Sequence, residues 1–141
     1  MIKQISINLP NRPGKLSEIS DLMGSEGLNI RAILLDERGQ KGILRYIVED
    51  PAKAGNLLKS RDYDFQIDDV LAIEVPDHPG GLGAVLKPLR DHKINVNYLY
   101  PAIGRNGPNA ILILGVDKMD EAARVLKQNY IQILGEEVYK L

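Results

Sequence analysis

Leu9-Pro10-Asn11-Arg12-Pro13-Gly14-Lys15-Leu16 recurs as Val75-Pro76-Asp77-His78-Pro79-Gly80-Gly81-Leu82, a constant 66 residues further on. The same spacing aligns Leu28-Asn29-Ile30 with Ile94-Asn95-Val96. After a loop two residues longer in the second copy the spacing becomes 68. It then aligns Val48 with Val116 and Leu57-Leu58-Lys59 with Val125-Leu126-Lys127. Blocks that recur in the same order mark an internal duplication. The joint lies near residues 67–70, so the expected domains are 1–68 and 69–141. Asp68-Asp69-Val70-Leu71 in turn matches Glu136-Glu137-Val138-Tyr139. Almost no linker separates the copies, so their sheets are expected to abut, with Val138–Leu141 adding a strand.

Each copy follows one grammar. Ile5, Ile7 and Leu9 alternate with polar residues, as do Leu71, Ile73 and Val75, which predicts a half-buried opening strand. Pro13 or Pro79 is expected at the first position of a helix, where a missing N–H costs nothing. Leu16, Ile19, Leu22 and Met23 make its apolar stripe, with Gly27 closing the helix at C′; Leu82, Val85, Leu86 and Leu89 repeat the stripe. Pro88 should kink or shorten the second of these helices, because it removes the bond to the Ala84 carbonyl. A strand follows at Asn29–Leu35 and at Asn95–Ile103, then a Gly-rich turn (Gly39 to Gly42; Gly104-Arg105-Asn106-Gly107). Ile43–Val48 and Ala110–Val116 read as central strands, and Asp50-Pro51 and Asp117 as N-caps of helices that end near Lys59 and Gln128. One more strand closes each unit. The order is βαββαβ twice: an α+β fold of two tandem ferredoxin-like units, antiparallel sheets with helices on one face.

The turn has a chemistry of its own. A strand that enters a Pro-Gly turn and leaves as a helix presents backbone N–H groups and the positive end of a dipole to a small anion. Gly14 and Gly80 let that anion approach closely. An α-carboxylate has a suitable size, and Asn11 or Asp77 with strand carbonyls offers acceptors for an ammonium. Asn11 and Asp77 are equally readable as helix caps, Pro13 as a turn residue, and Asn29 and Asn95 as residues that stabilise the turn before a strand.

Each copy resembles an ACT domain, the small regulatory module that binds amino acids in many metabolic enzymes. The residues that carry the resemblance are Asn11-Arg-Pro-Gly-Lys-Leu16 with Gly27-Leu-Asn-Ile30, and Asp77-His-Pro-Gly-Gly-Leu82 with Ile94-Asn-Val96. It covers nearly the whole chain, which resembles the stand-alone tandem ACT proteins that carry no catalytic domain. The resemblance implies an effector held between the turn and a facing domain. Residue by residue, it puts ligand binding on Asn11, Pro13, Gly14, Leu16, Asn29 and Ile30, and on Asp77, His78, Gly80, Gly81, Leu82, Asn95 and Val96. It implies regulation without catalysis and without a cofactor, through an amino-acid ligand, a homodimer and a possible metabolic enzyme partner. A structural or oligomerisation module without its own ligand is the alternative. The copies differ where it matters: some amino-acid-binding ACT domains place a His just upstream of the turn, where this chain has Leu9-Pro10 and Val75-Pro76.

Composition removes competing classes. The chain has 141 residues, a formal net charge of −1 and no Cys, which excludes disulfides, Cys-ligated zinc and thiol catalysis. Residues 1–66 hold 10 basic and 9 acidic side chains and residues 67–141 hold 8 and 10, so neither half is an arm for nucleic acid or membrane. The longest apolar run, Ala110–Leu114, is far shorter than a bilayer span, and the alternating amino terminus is no signal peptide; a cytoplasmic protein is expected. The acidic pairs Asp36-Glu37, Asp68-Asp69 and Glu136-Glu137 lack metal-ligand spacing, and Gly80-Gly81-Leu82-Gly83 misses the dinucleotide pattern. His78 and His92 build no triad. An RNA-recognition motif shares the βαββαβ order, but its central strands need aromatics, and here Tyr46 is the only one. Tyr98 and Tyr100 share a strand face and fit either a pocket wall or the packing between units.

Overall fold

The computed structural model describes residues 1–104 and 107–141; Arg105 and Asn106 of the second Gly-rich turn lie outside the described residues. The elements run β1 (Ile2–Pro10), α1 (Lys15–Ser25), β2 (Ile30–Arg38), β3 (Lys41–Val48), α2 (Pro51–Ser60), β4 (Phe65–Val75), α3 (Gly81–Asp91), β5 (Val96–Pro101), β6 (Ala110–Val116), α4 (Met119–Gln128) and β7 (Ile133–Leu134), then a 3-10 helix at Glu136–Lys140. This is βαββαβ twice with antiparallel pairing throughout. β4 serves both repeats. As far as Val70 it pairs with β1, and from Leu71 onward with β6. The closing strand of the first repeat and the opening strand of the second are one strand, which leaves no room for a linker.

The strands run β2-β3-β1-β4-β6-β5, and the sheet curls until its ends meet. Ala32 of β2 bridges Ala102, and the Ile103 amide donates to the Arg31 carbonyl over 2.7 Å. The period-2 alternation therefore feeds two faces. Ile5, Ile7 and Leu9 turn outward beneath α1 and α2, where they meet Leu44, Tyr46 and Leu58. Leu71, Ile73 and Val75 do the same beneath α3 and α4, against Val85, Leu89 and Val125. The opposite faces of both repeats meet in a third core that holds Ile2, Ala32, Ile47, Val70, Ala72, Tyr100, Ile113 and Leu134. A buried aliphatic side chain contributes roughly 1.5–3 kcal/mol, so this inter-sheet core joins the repeats far more firmly than a tether would. Tyr46 is fully buried, with its hydroxyl 3.7 Å from the Met23 sulfur, so it offers no face to a nucleobase. Tyr100 is buried in the inter-sheet core and Tyr98 packs against it, so the pair fills the space between repeats.

Several local expectations need correction. Val138–Leu141 is no strand: Val138–Lys140 belong to the 3-10 helix and Leu141 caps it, and Val138 is fully buried between the sheets. Pro13 and Pro79 do not open helices, because Gly14 and Gly80 take left-handed conformations first and helix begins only at Lys15 and Gly81. Asp50 does cap α2, accepting from the Lys53 amide at 3.1 Å. Asp117 caps nothing; its carboxylate accepts from the Asn95 amide at 3.0 Å and so ties β6 to the start of β5. Pro88 sits inside α3 without shortening it, for α3 and α1 both span 11 residues. The carbonyl that Pro88 deprives belongs to exposed Ala84, a position open to solvent.

The four α-helices among the described residues end alike. The second residue past each helix, Gly27, Asp62, Lys93 or Tyr130, has positive φ. The next residue, Leu28, Tyr63, Ile94 or Ile131, donates its amide back to Met23, Leu58, Leu89 or Leu126. This is the Schellman closure, and only α1 uses the residue that adopts it without strain. Tyr130 is 97% exposed and held at φ 60. Tyr130→Gly is therefore expected to raise stability by about 0.5–1 kcal/mol in urea denaturation, since relief of the left-handed strain exceeds the added unfolded-state entropy. An unchanged or lower midpoint would contradict this reading.

Candidate functional site

Each turn begins where an opening strand ends. In the first repeat the Asn11 amide donates to the Gln40 carbonyl at 2.8 Å and the Asn11 side-chain amide to the Gly39 carbonyl at 2.9 Å. Asn11 therefore fastens the turn to the β2–β3 hairpin and caps no helix. Gly14 follows at φ 90 and Gly80 at φ 87, each at the N-cap position of its helix. Neither α1 nor α3 receives a side-chain cap. The first helical bonds run from the Glu18 amide to Gly14 and from the Ala84 amide to Gly80. The amides just before those, at Leu16, Ser17, Leu82 and Gly83, belong to the first turn that a helix cannot satisfy internally, and the dipole concentrates positive potential there.

The surroundings differ between copies. In the first, Arg12 and Lys15 stand with Pro10, Leu16 and Leu35 around a recess of about 50 Å³. Lys15 also pairs with Glu18 at 3.4 Å. In the second, the Gly81 amide donates to the His78 carbonyl at 3.0 Å, and a Cβ on Gly81 would lie 2.1 Å from the Pro76 carbonyl oxygen. The second turn is closed more tightly than the first, in a way that only a second glycine permits. The signal for this was the Gly80-Gly81 pair itself, which replaces Gly14-Lys15. Exposed His78 turns Nδ1 to the Pro79 carbonyl at 3.0 Å, and exposed Asp77 leaves α3 uncapped. Leu16 and Leu82 remain 39% and 44% exposed, one beside each turn.

Asn11, Pro13, Gly14 and Leu16 are thus together at one turn, and Asp77, His78, Gly80, Gly81 and Leu82 at the other. Asn29-Ile30 and Asn95-Val96 are not brought to the turn of their own repeat. Ile30 pairs with Val48, while the turn leaves the sheet where Leu9 pairs with Gly42. Six residues of β3 separate those ends, about 20 Å at strand rise. Asn29 accepts from the Glu49 amide at 3.0 Å, and the Asn95 side chain donates to Asn97 at 2.8 Å, so both organise strand starts. Ile30 and Val96 pack partly buried against the outer cores. Among the described residues no group of His, Cys, Asp and Glu fits a metal ion, and no helix is long and apolar enough to cross a membrane.

A family model described as an ACT domain pair matches residues 1–140. The chain belongs to that family. No curated protein matches it in sequence. Among solved structures, protein BT0572 from Bacteroides thetaiotaomicron has 35% identity and a TM-score of 0.91, over 99% of this chain and 96% of that one. The ligand-free regulatory subunit of aspartate kinase from Thermus thermophilus shares the fold at 14% identity and a TM-score of 0.65, over 91% of each chain. The aspartokinase alpha and beta subunits share it at 16% identity and a TM-score of 0.62, again over 91% of each chain.

In this ACT domain pair the tyrosines report on the packing around the first turn and the cores. The Tyr63 hydroxyl donates to Glu18 in the first turn of α1 and holds the Glu18 carboxyl below its ordinary range. Burial and that hydrogen bond push Tyr63 up to about 12. Burial pushes Tyr46 and Tyr100 up further. Folded values raised above about 10 mean that the unfolded chain loses phenolic protons first, so stability falls as pH rises past 10. In an ultraviolet titration Tyr46 and Tyr100 are expected to ionise only together with the loss of far-ultraviolet circular dichroism. Smooth ionisation of every tyrosine while the fold persists would refute this.

Proposed function

We propose that this ACT domain pair is a non-catalytic regulatory protein that binds a small amino acid at its turns and signals through the arrangement of its domains, 1–68 and 69–141, or of its subunits. The observation that carries the reading is the duplicated, uncapped helix start behind a left-handed glycine, Gly14 and Gly80. Such a start suits a carboxylate, and Asn11 and Asp77 sit beside it for an ammonium. The fold shared with a regulatory subunit of aspartate kinase supports a role beside a metabolic enzyme. Exposed Leu16, Leu35 and Leu82 next to the turns favour a facing copy of the chain that would cover them and supply Asn29 or Asn95 from across the interface.

Thermal melts against a panel of amino acids test this. A ligand at a hundred times its dissociation constant is expected to add about 2.7 kcal/mol, roughly 8 °C for a chain of this size. Gly14→Ala and Gly80→Ala, which place a Cβ in the anion's path, are expected to remove the response. Absence of any shift across the panel overturns the binding reading and favours an assembly module without a ligand.

A further inference from the structure

The curled sheet has two ends, and the repeat makes them comparable position by position. At one end Ala72 pairs with Leu134, and Ala32 with Ile47. Ile111 and Ile113 join them, all essentially buried, and the C-terminal 3-10 helix seals this end with Val138. At the other end the equivalent pairs are Ser6 with Gln66, and Tyr98 with Gly115. Arg45 stands where Ile113 stands in the second copy, and among the described residues no segment seals the opening. A cleft of about 320 Å³ remains there, between the strands of the first repeat and those of the second. That volume is at the small end of the range for metabolite pockets.

Its walls carry charges of both signs. Arg45 lies with its guanidinium 4.1 Å from the centre of the Tyr98 ring and only 13% exposed. Asp36 forms an ion pair with it at 3.7 Å, longer than a hydrogen bond, so among the described residues the donors of its planar fork remain for what fills the cleft. On the same wall, on the other side of β1, Asp68 accepts from the Ser6 hydroxyl at 2.8 Å through one oxygen, and its second oxygen can accept from a further donor. The Tyr98 wall is held rigid from behind. Gln4, a fully buried polar side chain, donates to the Tyr98 hydroxyl at 2.9 Å and accepts from the Tyr100 hydroxyl at 2.6 Å. Gly115 lets the Tyr98 ring lie flat over the backbone, since a Cβ there would come within 2.2 Å of it.

We infer that this open end of the inter-sheet core is a second ligand site, one for a small zwitterion whose anionic group meets Arg45 and whose cationic group meets Asp68. It is distinct from the two turns and does not depend on the reading given to them. Because it sits between the repeats, its occupant bridges β1, β3 and β4 of one to β5 and β6 of the other, and so fixes the angle between their sheets.

The test is a titration of the 15N-labelled full chain with a panel of α-, β- and γ-amino acids, chosen because the spacing of their charges differs. The expected result is shifts of the Asn97, Gly115 and Val116 amides with at least one of them. Arg45→Met, which keeps the stem over Tyr98, is expected to weaken that binding at least about tenfold. Asp68→Asn, which keeps an acceptor for Ser6, is expected to weaken it as well and decides the matter should Arg45→Met fail to fold. Shifts confined to Gly14, Gly80 and their neighbours would overturn this site while upholding the turns. Shifts at Gly115 with none at the turns would do the reverse. Unchanged affinity in the folded variants would overturn the assignment of Arg45 and Asp68.

Discussion

Removal of residues 137–141 is expected to lower the melting temperature of this ACT domain pair by about 12 °C, equivalent to roughly 4 kcal/mol. From the sequence, Val138–Leu141 is expected to add a strand. In the fold Val138 is fully buried in the inter-sheet core, and Tyr139 and Leu141 pack partly buried against it. Burial of one such side chain is worth about 1.5–3 kcal/mol, and the truncation removes one whole and parts of two. It also strips polar partners. The Lys3 amide donates to the Tyr139 hydroxyl at 2.7 Å, and Arg31 Nε donates to the Tyr139 carbonyl at 3.1 Å. A strand added at a solvent-facing edge would cost far less. A fall of no more than about 2 °C would show that the plug contributes nothing, and the inter-sheet core would then have to be redrawn.

That plug also marks where legibility stopped. The duplication, the two βαββαβ units and the outward stripes such as Ile5, Ile7 and Leu9 were readable, because period-2 and period-3.6 patterns report burial directly. The match of Glu136–Tyr139 to Asp68–Leu71 was readable too, yet the same sequence pattern takes two conformations. In the first copy β1 pairs with it on one side and the chain runs on into the second repeat as β4. In the second copy the matching segment is a 3-10 helix that places Val138 in the space between the sheets. The inter-sheet core was half visible. Tyr98 and Tyr100 pointed to it, but polar Gln4 and Arg45 concealed it, since alternation alone assigns such residues to solvent. Their meaning emerges only once Ser6, Gln66 and Arg45 are set beside Ala72, Leu134 and Ile113. At the turns the residue types were legible and the roles were not. Asn11 reaches sideways to Gly39 instead of forward to a helix, because a left-handed glycine had already taken the cap position.

Gly81→Ala is expected to lower stability by about 3 kcal/mol, or roughly 9 °C in melting temperature, while Lys15→Ala at the equivalent position of the first copy changes it by less than about 0.5 kcal/mol. The contrast isolates geometry from chemistry, since both variants end with alanine at the first residue of an 11-residue helix. Alanine favours helix over glycine by about 1 kcal/mol, so propensity alone predicts that Gly81→Ala stabilises. What opposes it is a backbone oxygen. The new Cβ would meet the Pro76 carbonyl at 2.1 Å and its carbon at 3.2 Å, and Pro76 has little freedom to retreat because its φ is locked and β4 ends one residue before it. To relieve the clash, the turn must open. That breaks the hydrogen bonds from His78 to Pro76 and from Gly81 to His78, both 3.0 Å. Those bonds hold the second turn in its closed form, so under the proposed function the same variant should weaken amino-acid binding at the second turn and leave the first intact. Equal stability of Gly81→Ala and wild type would mean that the turn is looser than its geometry states, and that the two turns differ in sequence alone.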